Sequence, residues 1–150
     1  MVLDLVFKNH MSQKSPGERF FAEVIKAGLK AIKLKSKKVE LSVNLVGEGK
    51  IRKLNAIHRN KDKVTDVLSF PLEAKGSRNY DIMPLGDIFI CLPFARKEAA
   101  GEKMSLQAKL AQLTAHGFLH LLGYDHEKSE KDAQKMFKLE NKILSNLKLK

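Results

Sequence analysis

Between residues 116 and 126 the chain runs HGFLHLLGYDH, and this segment admits few local folds. It holds three of the five histidines in the sequence. His116 and His120 lie four residues apart within a stripe of Leu106, Leu110, Leu113, Gly117 and Leu121, whose spacing predicts a helix over 106–122. Residues four apart share a helix face, so both imidazoles project from the same side. Gly123 is placed to end the helix in a left-handed conformation, which glycine adopts without a Cβ penalty. The chain then turns and can bring His126 back toward the first two histidines from outside the helix.

Three neutral imidazoles fill three positions of a tetrahedral zinc ion and leave the fourth open, as in catalytic rather than structural sites. Such a position takes a water whose pKa falls to about 7. Nickel, copper or cobalt suits the same donors. Positions 116, 120, 123 and 126 match the H-x-x-x-H-x-x-G-x-x-H pattern of metzincin proteases. Those enzymes carry a glutamate after the first histidine as general base, and Gly117 stands in that place. The segment points to a metal and away from conventional peptidase chemistry.

The rest of the chain predicts a small sheet dressed with helices. VLDLVF at 2–7 and the clean alternation of VELSVNLV at 39–46 predict strands, the second with Val39, Leu41, Val43 and Leu45 inward. VTDVLSF at 64–70, closed by Pro71, and DIFICLPF at 87–94 predict two more. Ser15-Pro16-Gly17-Glu18 has the form of a capping box that starts a helix carrying Phe21, Val24, Ile25 and Leu29. Ile51, Leu54 and Ile57 mark a short helix ending near Asn60, and Pro93 opens another that Gly101 ends. Residues 129–149 predict a last amphipathic helix capped at Ser129, and the polar stretch 73–84 predicts a loop. Strand–helix–strand units favour parallel pairing, whereas the closely spaced third and fourth strands can pair antiparallel. The expected class is α+β: one four-stranded mixed sheet, mostly parallel with one antiparallel strand, and about five helices. With 150 residues, one domain over 1–150 is the expectation.

Charge and cysteine content bound the setting. Lys and Arg exceed Asp and Glu to give a formal +11, with 16 basic and 8 acidic residues in positions 1–75. Six lysines between Val24 and Val39 (Lys26, Lys30, Lys33, Lys35, Lys37, Lys38) have no acid among them. A surface of this sign draws polyanions, and these lysines are expected to border the histidine site; a solvated face is the alternative. The single cysteine, Cys91, excludes an internal disulfide, and its apolar strand predicts a buried thiol. No apolar run reaches membrane-spanning length and the N-terminus lacks a secretory pattern, so the expected location is cytoplasmic, with no membrane partner and no disulfide-linked partner.

HGFLHLLGYDH at 116–126, LNAIHRNKDKVTDVLSFP at 54–71 and LGDIFICL at 85–92 together resemble the YbeY family of bacterial endoribonucleases and ribosomal-RNA maturation factors. The three segments extend the resemblance over most of the chain. Val64 departs from the proline expected just before TDVLSFP. The resemblance implies one zinc held by His116, His120 and His126. It also implies cleavage of single-stranded ribosomal RNA in maturation of the small ribosomal subunit. Arg59 matches the family's functional arginine, and a guanidinium suits two phosphate oxygens at once. Arg59 and His116 are the candidate catalytic residues, and Lys61 and Lys63 join Arg59 as candidate RNA-binding residues. Asp125, beside His126, is a candidate acceptor for an imidazole N–H. Asp66 and Asp87, in the other two blocks, are candidates to cap strand ends or form ion pairs, and His10 and His58 are expected in loops or at the surface. Two other functions stay open at this point: a non-catalytic ribosome-assembly factor with a structural metal, and a metal-dependent hydrolase of another substrate.

Overall fold

The alternation of VELSVNLV produces the central strand. In the computed structural model, which describes residues 2–72 and 81–148, β2 spans Lys38–Val46 and buries Val39, Leu41, Val43 and Leu45 on one face. β1 (Val2–Asn9) runs parallel beside it, placing Leu5 opposite Leu41. β4 (Ile82–Cys91) runs parallel on the other side, and β3 (Val67–Pro71) pairs antiparallel with β4. The order is β1-β2-β4-β3. Five helices accompany the sheet among the described residues: α1 (Glu18–Ile32), α2 (Glu48–Arg59), α3 (Leu92–Gly101), α4 (Leu106–Leu121) and α5 (Glu130–Ser145). The α+β class, the mixed sheet and its antiparallel edge agree with the sequence pattern.

Alternate strand residues point to opposite faces, so each face needs its own cover. On one face the inward residues of β1, β2 and β4 meet Phe21, Val24 and Ile25 of α1, Leu110, Phe118 and Leu119 of α4, and Met136 and Ile143 of α5. On the other, Ile51 of α2 packs with Val46, Leu68 and Cys91. Each fully buried large apolar side chain stabilises the fold by about 1.5–3 kcal/mol. No helix among the described residues is long and apolar enough to cross a membrane.

Several boundaries differ from the sequence expectation, each for a local reason. No capping box forms at Ser15: Gly17 is the N-cap without a side-chain bond. The Ser15 hydroxyl instead donates to Pro16 O and accepts from Asn9 Nδ2. The third strand begins at Val67 rather than residue 64, because Asp66 Oδ1 accepts the Val67 N–H (2.8 Å) and caps the strand start. The fourth starts earlier than expected, so Ile82–Pro84 are strand rather than loop, while residues 73–80 of that expected loop lie outside the described residues. A β-bulge explains why the pattern hid this. The register jumps from Pro84 to Gly86, so Met83 and Leu85 share a face with Ile88 and Ile90 despite the change of parity. The same strand ends at Cys91, and Leu92–Phe94 open α3 with proline in its first turn. Gly101 is helical, and Lys103 takes the left-handed conformation beyond it. α5 stops at Ser145, short of residue 149, although its Ser129 cap forms as expected. Ile57 is exposed rather than part of a buried stripe.

The contact that positions the histidines is between α4 and the sheet. Gly117 faces β4 and β3 so closely that a Cβ there would lie 2.9 Å from Ile88 Cγ2 and 3.1 Å from Ser69 Oγ. The Ser69 hydroxyl donates to the Gly117 carbonyl at 3.0 Å. A glycine thus lets the helix lie against strand β3, at the edge of the sheet.

Candidate metal centre

His116 and His120 leave α4 on one face, half-buried. Gly123 takes φ +95° after the helix, with its amide bonded to His120 O, and the turn returns exposed His126 to the pair. One ring nitrogen from each histidine lies within 4.8 Å of the others. His116 Nε2 and His120 Nε2 are 3.0 Å apart. Tetrahedral bonds of about 2.0–2.1 Å would separate donor atoms by about 3.3 Å, so the set fits zinc with small side-chain adjustments. Burial first, and then the neighbouring imidazoles of His116 and His126, hold His120 below the ordinary histidine range. Both causes favour the neutral, metal-ligating form.

The imidazoles line an open cleft of about 650 Å³. Arg59, the last residue of α2, and Lys61 and Lys63 just beyond it line the same cleft, as does Lys128. Arg59 Nη2 lies 3.8 Å from Glu127 Oε1, which is also 4.0 Å from His126 Nε2. The structure therefore brings together the histidines and the three basic residues of the second motif. The Lys26–Lys38 run does not line the cleft, contrary to the expectation that it borders the histidines. Lys37 and Lys38 instead pair with Asp81 and Asp4 where the three parallel strands begin.

Asp125, expected to accept from an imidazole, accepts the Glu127 N–H at 2.8 Å instead. That bond is the main cause holding its carboxyl below the usual carboxylate range. The carboxylate that does contact a ligand ring is Glu140 of α5, whose Oε1 meets His116 Nδ1. Its signal was present in the sequence: Glu140 falls on the same helical stripe as buried Met136 and Ile143. An acid on an apolar stripe needs a partner when it is buried. Ser69, bonded to the helix between the ligands, carried no signal of its own. His10 and His58 lie outside the cluster, against Asn44 and Phe70. Asp87 accepts from Ser42 Oγ, and Cys91 is buried as expected.

Comparison with known proteins agrees with this geometry. The family described as "Endoribonuclease YbeY" matches residues 6–148. Endoribonuclease YbeY of Persephonella marina is 38% identical over 143 residues, covering 95% of this chain and 92% of that protein. The Pseudomonas putida protein of the same name is 44% identical over 117 residues, 78% and 73% of the two chains. A Thermotoga maritima protein solved in solution superposes with a TM-score of 0.61 at 26% identity, over 96% of this chain and 87% of that one.

Proposed function

The chain belongs to the YbeY endoribonuclease family, and from that premise we propose that it is a zinc-dependent endoribonuclease cutting single-stranded ribosomal RNA in maturation of the small ribosomal subunit. It acts as one domain in the cytoplasm. One observation carries the reading: three converging imidazoles form one part of a cleft that also holds Arg59, Lys61 and Lys63.

His116, His120 and His126 would hold the ion, which when bound supplies a Lewis acid and lowers the pKa of water. Arg59 can place two N–H donors on the non-bridging oxygens of the phosphate being cut and stabilise the charge that develops there. Lys61 and Lys63 screen the neighbouring phosphates and orient the strand along the cleft. Asp125 fixes the turn through the Glu127 N–H and so keeps His126 facing the helix. Gly117 offers no carboxylate, which disfavours the peptidase alternative. The alternative of a purely structural metal is disfavoured because the cluster has three protein donors and opens on the cleft, whereas structural zinc is closed by four.

The test is cleavage of defined single-stranded and duplex RNAs by zinc-loaded protein and by its His116→Ala and Arg59→Ala variants. The single-stranded RNA should be cut preferentially, and loss of Arg59 should slow cleavage about 10²–10³-fold. Cleavage that survives both substitutions overturns the assignment.

A further inference from the structure

We infer that Glu140 is a positioning residue for the metal centre: it fixes the tautomer of His116 and ties docking of the C-terminal helix to metal affinity. The inference rests on the metal reading above and extends it to a residue on another element.

The geometry is specific to one ligand. His116 Nδ1 meets Glu140 Oε1, while His116 Nε2 points into the cluster, 3.0 Å from His120 Nε2. A ring that donates its Nδ1–H to a carboxylate leaves Nε2 unprotonated and free to ligate. Neither of the other two rings meets a carboxylate at hydrogen-bond distance among the described residues: His126 approaches Glu127 only to 4.0 Å. The Glu140 side chain is 12% exposed, so little water competes for its oxygens. It also cannot drift. Met136 is one turn before it and Ile143 one turn after, and both are buried against the core that α4 shares. The helix that carries no ligand therefore sets the orientation of the first ligand, and whatever loosens α5 weakens the site.

The test compares wild type with Glu140→Gln and Glu140→Ala. Zinc affinity is measured by competition with a chromophoric chelator. The tautomer of His116 in the zinc-free protein is read from its ¹⁵N imidazole shifts. Removing such a partner typically weakens metal binding 10–100-fold. Glu140→Gln, which keeps an acceptor but no charge, should fall near tenfold with the Nδ1–H tautomer retained. Glu140→Ala should fall near a hundredfold with the tautomers mixed. If the Ala variant fails to fold, the Gln variant decides alone. A merely structural role would leave the affinity of the Gln variant and the tautomer of a folded Ala variant unchanged, and affinities within twofold of wild type overturn the inference. Wild-type protein that takes up no zinc would overturn the metal reading, and this one with it.

Discussion

Replacing Gly117 tests how the helix is seated on the sheet. In the structure a Cβ at this position would sit 2.9 Å from Ile88 Cγ2, 3.1 Å from Ser69 Oγ and 3.4 Å from Ile88 Cδ1. Ile88 is fully buried and its Cγ2 is not a flexible tip, so either that side chain or α4 must move. Two effects oppose each other in Gly117→Ala. Alanine in a helix interior gains about 1 kcal/mol over glycine. Overpacking a well-filled core costs about 1–3 kcal/mol. Because the contact is with a fixed β-branched side chain, the cost should win and leave a net loss of up to about 2 kcal/mol. For a chain of this size each 1 kcal/mol lost lowers Tm by about 2–4 °C. Gly117→Glu adds an unpartnered buried carboxylate and should be markedly worse. Lifting α4 would also lengthen the 3.0 Å bond from Ser69 Oγ to Gly117 O, next to His116. Thermal unfolding of the zinc-free proteins measures the stability, and chelator competition measures the site. An Ala variant as stable as wild type or more so would refute this packing argument, because the propensity gain would then stand unopposed.

Three further outcomes follow from single contacts. A Cβ at Gly28 would lie 2.6 Å from Phe118 Cε2, so Gly28→Ala should lose up to about 2 kcal/mol net of the helix-propensity gain where α1 crosses α4, whereas the exposed helical Gly49→Ala, which meets nothing, should be as stable as wild type or more so, both read by chemical denaturation. Burial, and then the Asp66 carboxylate, push Glu98 up to about 7 from 4.5. A raised carboxyl pKa stabilises the fold below about 4.5 and loses that contribution as pH rises through about 7. The stability of Glu98→Gln relative to wild type should therefore improve by about 3 kcal/mol between pH 4.5 and 8, and a constant difference across that range would contradict the assignment. Glu127 lies 3.8 Å from Arg59 with both side chains exposed, so Glu127→Gln should lower KM for RNA about twofold at low salt and not at high salt, read from initial cleavage rates.

The order of elements and the metal cluster were legible because each rests on local periodicity. VELSVNLV alternates, and HGFLHLLGYDH sets two ligands one turn apart before a glycine. The N-terminal part of β4 was not legible, because a bulge at Leu85–Gly86 switches which parity faces the core. Ser15 misled because its hydroxyl is engaged by Asn9 at the end of β1 and by the Pro16 carbonyl, a competition that spacing does not reveal. Asp125 misled for a similar reason: adjacency in sequence put it beside His126, but its oxygen caps the turn. Glu140 required knowing that α5 returns across α4, a long-range fact, although its place on an apolar stripe marked it as a buried acid. The lysine run shows the limit of charge arithmetic. The cations lining the cleft are Arg59, Lys61, Lys63 and Lys128, so the net charge of a half-chain did not report where the charge stands.

The most direct measurement is a zinc titration of chelator-stripped protein followed by RNA cleavage and by bound metal together. Cleavage of single-stranded RNA should rise linearly and saturate at one ion per chain, with no recovery in a His120→Ala or His126→Ala variant at the same zinc concentration. Full cleavage by the stripped protein, or equal recovery in those variants, would contradict a three-histidine metal centre as the source of the activity.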